Sequence, residues 1–488
     1  MSRSFAVVMA VVACGLSVVC GMVSAAEGGA SRQMAEELLS TARVRAGICV
    51  HVGCGDGRLT ADLLRRGMRI VQGVDVDPET VQQARRYIES TGRYGPVSVV
   101  RGSLKRLPYS DNLVNLVVVD DLPGARAKGF TVQEAMRVLA PHGTALFGGM
   151  PEAGLRDAPA DIADPRMVEV AGRKWAAVTK PYPEDMDEWP QYFHDAGHTR
   201  ISQDGLVGPT TGFQWIHGDF FSQLVVPVQS FASANGRNFY VKNLPRPGAG
   251  GLVNTNVSDM HVLEVRDAFN GLELWQRPIW AQARGEVWKS LRTSPILALG
   301  DRVFTHLEQD GPLVALDAAT GEVVRTYDVS GDINCYDGLL IVRTDGNRWV
   351  VLDPETGSTL RSFTVEASYH NSPMLIADGR AFVLEAGEGE VDDAYEEGKQ
   401  PVRWWSQVKQ EERPARGELL CFDFATGERV WRKPNVGNGR LYWCRRGILM
   451  TRAGNNMNAF LTEDGRQLWW NPRTTRKGGD RGESDTGG

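Results

Sequence analysis

His51-Val52-Gly53-Cys54-Gly55-Asp56-Gly57-Arg58 is a turn in which glycine alternates, and the reading of this 488-residue chain grows from it. It follows an apolar run, Gly47-Ile48-Cys49-Val50, and precedes a helical pattern from Leu59 to Arg66. Glycine at such a turn allows positive φ and lets a ligand approach the backbone. A helix start behind it offers free N–H groups to a carboxylate or phosphate. A second apolar strand, Arg69 to Asp75, comes next. Asp75 stands 22 residues after Gly53, near the spacing at which a second-strand carboxylate meets a ribose diol.

From these residues onward the chain resembles the class I S-adenosylmethionine-dependent methyltransferases. Gly73-Val74-Asp75-Val76-Asp77-Pro78 matches their second motif. Leu107-Pro108-Tyr109-Ser110-Asp111-Asn112 resembles the stretch beside the adenine. Leu113 to Val119 reads as the fourth strand, and Glu134 to Gly143 as the helix and turn before a fifth, Thr144 to Gly148. The match covers about residues 32–150. A Rossmann-like domain of another kind would share the glycine turn and the acidic strand end.

The resemblance implies that Gly53, Gly55, Asp56 and Gly57 shape the methionine pocket. It implies that Asp75 holds the ribose with Val76 beside it, and that Ser103, Leu104 and Leu107 border the adenine. Asp120 and Asp121 close the fourth strand, where ligands bind in such sheets. There they are catalytic candidates, to hold the cofactor's ammonium group or take a proton, or else simple helix caps. Asp121-Leu122-Pro123-Gly124 is distantly similar to the Asp-Pro-Pro-Tyr of amino-methyltransferases. Three positions depart from the family: Ser103 replaces an Asp, Pro141-His142-Gly143 replaces Pro-Gly-Gly, and Val114-Asn115 replaces an aromatic-Asp pair.

Residues Phe5 to Val23 carry no charge, Arg3 precedes them, and Val23-Ser24-Ala25 presents small residues before Ala26. This is the pattern of a signal peptide over 1–25, and it predicts export to the periplasm or cell envelope. Retention of the run as an anchor, or lipidation at the string Val11-Val12-Ala13-Cys14, is the only membrane attachment it suggests. Export conflicts with a cofactor made in the cytosol. The formal charge of −6 argues against a nucleic-acid partner. Seven cysteines include two in the leader; the other five are scattered, with no zinc or haem spacing.

From about residue 212 the pattern changes to short strands. A turn recurs as Asp267-Ala268-Phe269-Asn270-Gly271, Asp317-Ala318-Ala319-Thr320-Gly321, Asp353-Pro354-Glu355-Thr356-Gly357 and Asp423-Phe424-Ala425-Thr426-Gly427, with a decayed Thr462-Glu463-Asp464-Gly465. Trp275, Trp431 and Trp469 follow three of them. Such repeats predict a β-propeller with five visible units. The Thr-Gly-x-x-x-Trp flavour resembles the pyrroloquinoline-quinone-like propellers, a family that includes quinoprotein dehydrogenases and an outer-membrane assembly lipoprotein. The dehydrogenases carry adjacent cysteines over the quinone, and none are present here, so pyrroloquinoline quinone is not expected.

The fold class is therefore multidomain: a Rossmann-like domain over 32–180, a linker and lead-in over 181–211, all-β repeats over 212–472, and a disordered tail over 473–488. Met167 to Val178 reads as a hairpin about Ala171-Gly172. In Trp189 to Thr199, His194 and His198 stand four apart, a spacing open to a metal site or to packing on the first blade. Glu385 to Glu397 holds seven acidic residues in a predicted solvated loop, and Trp404-Trp405 follow it. Three functions stay open. One is cofactor binding with methyl transfer, the propeller binding a small molecule or an envelope protein or glycan. The second is a non-enzymatic envelope scaffold with a vestigial first domain. The third and weakest is a quinoprotein oxidoreductase.

Overall fold

The computed structural model describes residues 29–65, 67–152, 162–208, 212–216, 228–243, 261–279, 295–308, 311–344, 347–366, 373–385, 417–434, 436, 439–453 and 456–471. The leader, nearly all of the acidic loop, Trp404-Trp405 and the tail lie outside them.

The first unit is a seven-stranded sheet. Helix α1 (29–42) precedes β1 (Gly47–Val52), α2 (Arg58–Asp62), β2 (Met68–Asp75), α3 (Pro78–Ser90) and β3 (Val97–Arg101). Then come β4 (Val114–Val119), α4 (Leu122–Ala127), α5 (Val132–Val138), β5 (Leu139–Gly148), β6 (Ala163–Val170) and β7 (Arg173–Thr179). The strand order is β3-β2-β1-β4-β5-β7-β6, with β1 to β5 parallel and β7 antiparallel to β5. Both faces are covered, and Leu116 to Val119 are fully buried, as expected of a central parallel strand.

The β6–β7 hairpin turns at Ala171-Gly172, with φ of 48° and 70°. Two expectations need correction. The helical pattern from Leu59 to Arg66 closes at Asp62, because the chain must return to β2 through a tight turn. Pro141-His142-Gly143 is not a free turn but an irregularity inside β5, where the register against β4 shifts and His142 takes φ 64°.

The remaining strands form small antiparallel sheets, a propeller-like arrangement. Five four-stranded sheets lie among the described residues: β8–β11 (228–279), β12–β15 (297–326), β16–β19 (332–364), β20–β23 (375–434) and β24–β27 (439–471). Each recurring turn joins the third strand of a sheet to the fourth. In four of them the Asp carboxylate accepts from the N–H groups two and three residues on, which fixes the turn. The closing glycine is left-handed in all five, with φ between 70° and 79°.

Residues 189–197 run past the first strand of every sheet in turn. Trp189 exchanges backbone hydrogen bonds with Ser233 on β8, and Pro190 O accepts from Ala298 on β12 at 2.8 Å. Gln191 Oε1 accepts from the Cys335 N–H on β16 at 3.1 Å. Ala196 O accepts from Ile376 on β20, and Gly197 O from Cys444 on β24. A side chain on Gly197 would lie 2.4 Å from the Cys444 oxygen, so only glycine fits there. The lead-in is thus an axial segment that ties five sheets together.

Inside it, His194 Nε2 meets Asp187 at 2.8 Å and Nδ1 meets Asp195 at 3.3 Å. Both ring nitrogens are engaged by carboxylates within the loop. These bonds, to Asp195 foremost and then Asp187, raise the His194 pKa against its burial. A raised imidazole contributes its stability fully below its unfolded value of about 6.5 and loses it as pH rises through the folded value. His198 runs the opposite way, since burial pushes it down to about 4. The difference in melting temperature between wild type and His194→Gln is therefore expected to be largest near pH 5.5–6 and to shrink toward pH 9. A difference independent of pH would sink this assignment.

The repeat region docks on the amino ends of the parallel strands. Asn115, at the start of β4, donates to Asp267 at 2.7 Å, while its oxygen accepts from Ile48 N and from Asn270 Nδ2. Arg69, at the start of β2, reaches Leu274 O at 2.5 Å, and Arg45 pairs with Asp317. His142 stacks on Tyr182 at 4.9 Å and lies beside Asn235, Arg237 and Asp301. Two of the three departures from the family pattern, Asn115 and His142, are thus docking residues.

Candidate cofactor site

The carboxyl ends of β1 to β4 lie at the opposite edge of the sheet, about 17–20 Å away along a six-residue strand. After β1 the chain turns with Gly53 N–H on Val74 O at 2.8 Å, and Gly57 N–H on Cys54 O at 3.1 Å. Gly53, Gly55 and Gly57 all take positive φ (75°, 53° and 83°). Their roles differ. A Cβ on Gly53 or Gly55 would meet nothing within 4 Å, so both border open space, whereas one on Gly57 would strike Ala84 of α3 at 2.9 Å. Two glycines keep the cleft clear and the third packs a helix. Asp56, exposed at the turn, accepts from Arg58 N and pairs with its guanidinium.

Asp75 ends β2 and is 2% exposed. Its Oδ1 accepts from Asp77 N–H at 3.1 Å, and Lys128 Nζ stands 3.1 and 3.4 Å from its two oxygens. Val76, half-buried, follows. Ser103 is exposed, and its hydroxyl accepts from Lys105 N–H. Leu104 is fully buried and backs the wall from within the core. The stretch from Leu107 to Asp111 is pinned by Arg137, whose guanidinium reaches Leu107 O, Tyr109 O, Asp111 and Glu134.

The two aspartates after β4 separate. Asp121 caps α4 through Gly124 N–H. Asp120 turns the other way, to His51 Nε2 at 3.3 Å, while His51 Nδ1 meets Thr60 Oγ1 at 2.8 Å. Burial opposes ionisation of Asp120, but His51 and then Arg173 outweigh it and hold its pKa below the usual value. Asp120 is therefore a carboxylate at neutral pH, oriented by His51.

Cys49 and Cys54 beside the turn are free and buried, and burial foremost pushes Cys54 up to about 12, so neither is a nucleophile here. A half-open cavity of about 330 Å³ lies between Met150 and Glu152 after β5 and Met167, Glu169 and Lys174 of the hairpin.

His51, Thr60 and Lys128 were not legible as site residues. Each is far in sequence from its partner or carries no motif of its own. Among the described residues no His, Cys, Asp and Glu cluster suited to a metal is present, and no helix is long and apolar enough to cross a membrane.

Comparison with known proteins agrees with this organisation. Residues 50–143 match the family model described as a methyltransferase domain. Residues 309–416 match the model described as outer membrane protein assembly factor BamB. The chain thus joins a methyltransferase-type domain to a BamB-type repeat region. Two uncharacterized proteins of Mycobacterium tuberculosis are each 31% identical over 67 residues, 13% of this chain, and the chain spans 29% of their length.

Among solved structures, a SAM-dependent methyltransferase from Aquifex aeolicus is 20% identical (30% of this chain, 89% of that one, TM-score 0.25). BamB from Moraxella catarrhalis is 15% identical (45% and 59%, TM-score 0.29).

Proposed function

We propose that the first domain binds S-adenosylmethionine at the carboxyl ends of β1 to β4 and supports methyl transfer to a small molecule or an exported polymer. The observation that carries this is the open space over Gly53 and Gly55 after β1, with Asp75 at the end of the neighbouring β2, at the edge of the sheet away from the docked repeats. The cofactor would supply a methyl group on a sulfonium. That methyl would go to an acceptor's lone pair, and Asp120 would be placed to take the acceptor's proton. Calorimetric titration with the full chain and with Asp75→Ala tests the reading; equal heats from both would refute it.

In this reading the protein acts in the periplasm or cell envelope, and the repeat region binds a protein or glycan partner.

One observation favours the second reading, a vestigial domain in an envelope scaffold: Lys128 already occupies the oxygens of Asp75 that a diol would use. The two readings part on Lys128→Met. If the pocket works, removing the competing ammonium frees two acceptors, and S-adenosylmethionine is expected to bind several-fold tighter, about 1 kcal/mol. Weaker binding in the variant would mean that Lys128 is part of the ligand's own contacts.

A further inference from the structure

Two carboxylates flank the glycine turn, and their partners differ in kind. The register sets His51 opposite Val118, so Gly53 and Asp120 leave β1 and β4 at the same level, while Asp75 ends β2 on the other side of β1. Cys54, between Gly53 and Gly55, feels both of them: after burial, the charges of Asp75 and Asp120 push its thiol up. Asp75 is paired with the ammonium of Lys128 at 3.1 Å. Asp120 is paired with an imidazole, and its side chain is 35% exposed.

The His51 ring is held so that this carboxylate keeps one direction. It is buried, and both nitrogens are engaged: Nε2 with Asp120 Oδ1 at 3.3 Å and Nδ1 with Thr60 Oγ1 at 2.8 Å. An ionised carboxylate only accepts, so Nε2 carries the hydrogen in that contact. The Thr60 hydroxyl can donate to Nδ1 of a neutral ring or accept from a cationic one, so the ring keeps its place in either state. Thr60 is itself fully buried, on the α2 helix that follows the turn. Arg173 fixes the main chain of the same residue, donating to Asp120 O at 3.2 Å.

We propose, resting on the cofactor reading above, that His51 is a positioning residue: by fixing the Asp120 carboxylate beside the turn, it makes the site favour the cationic sulfonium of S-adenosylmethionine over the neutral thioether left after transfer. A ligand over Gly53 and Gly55 lies within the Coulombic reach that the Cys54 thiol already shows, and a partly buried charge is screened less than one in open water. S-adenosylmethionine and S-adenosylhomocysteine share base, ribose, ammonium and carboxylate. They differ by one methyl and one positive charge at sulfur, so the ratio of their affinities isolates that charge. Loss of the attraction after transfer favours exchange of the spent ligand.

Calorimetric titration of the full chain with each ligand, at one pH, reads that ratio. His51→Phe is expected to weaken S-adenosylmethionine at least about fivefold and S-adenosylhomocysteine less than about twofold. His51→Gln, which keeps an N–H for Asp120, is expected to bring S-adenosylmethionine back to within about twofold of wild type. Asp120→Asn removes the charge with little change in volume and is expected to repeat the selective loss. If circular dichroism shows that His51→Phe does not fold, Asp120→Asn and His51→Gln carry the test. A ratio left unchanged by Asp120→Asn or by a folded His51→Phe would overturn the proposal and leave the cofactor reading standing, as would a selective loss that His51→Gln does not rescue. A wild-type chain that binds neither ligand would overturn the proposal and the cofactor reading together.

Discussion

Asp75→Ala is expected to weaken S-adenosylmethionine binding by at least about 100-fold, near 2.7 kcal/mol. The side chain is 2% exposed and is held by Asp77 N–H at the end of β2, so it is already oriented before a ligand arrives. A ribose diol would give it two hydrogen bonds to a charged acceptor, each worth about 1.5–3 kcal/mol. The variant also leaves Lys128 without its carboxylate, but that ammonium is half exposed and can turn to water. The fold should survive, which circular dichroism and the melting temperature of the variant would confirm. Titration is the measurement, and a loss below threefold would mean that Asp75 serves only its ion pair with Lys128.

Trp275→Ala is expected to cost about 3–5 kcal/mol in the repeat region, the range for removing a buried tryptophan. It would empty the contact over Gly321 and leave Ala318 O without its donor, at a joint between two sheets. Trp469→Ala, the same residue in the same place on β27, is expected to change stability by no more than about 0.5 kcal/mol, because its ring faces solvent. Urea unfolding followed by circular dichroism compares the two. Equal costs would show that Trp469 is packed in solution and that the last sheet has a neighbour within the chain.

Local chemistry was readable in the chain where it acts over a few residues. The glycine turn, the hairpin at Ala171-Gly172 and the four Asp-x-x-x-Gly turns each need positive φ or a short side-chain cap, and those requirements write themselves into adjacent residues. The third strands Leu313 to Leu316, Trp349 to Leu352 and Leu419 to Phe422 read as apolar runs because both of their faces are covered. Long-range partnership left no such mark. Lys128 reaches Asp75 across 53 residues, and His51 reaches Asp120 across 69.

Asn115 and His142 looked like losses from a methyltransferase pattern, but they answer to Asp267, Asn270 and the residues about Asp301, which belong to another part of the chain. The helix from Leu59 ended early for a related reason: the return to β2 outweighed a good local pattern. His194 and His198 shared a spacing open to metal, yet the ring of His194 is held by Asp187 and Asp195 inside the axial segment.

Placing the repeats at the amino ends of the strands has a functional consequence. Under the proposed function, a ligand at the carboxyl ends would enter without moving the repeat region. Asp120 lies at the carboxyl edge of the sheet, while Asn115, Arg69 and His142 lie at the other.

The most direct test is calorimetric titration of S-adenosylmethionine into the full wild-type chain. The account predicts a single saturable site with a Kd of about 10 μM or tighter, close to −7 kcal/mol. A folded chain that gives no heat of binding with the ligand in excess would contradict it, and the glycine turn with Asp75 would then be architecture of the sheet alone.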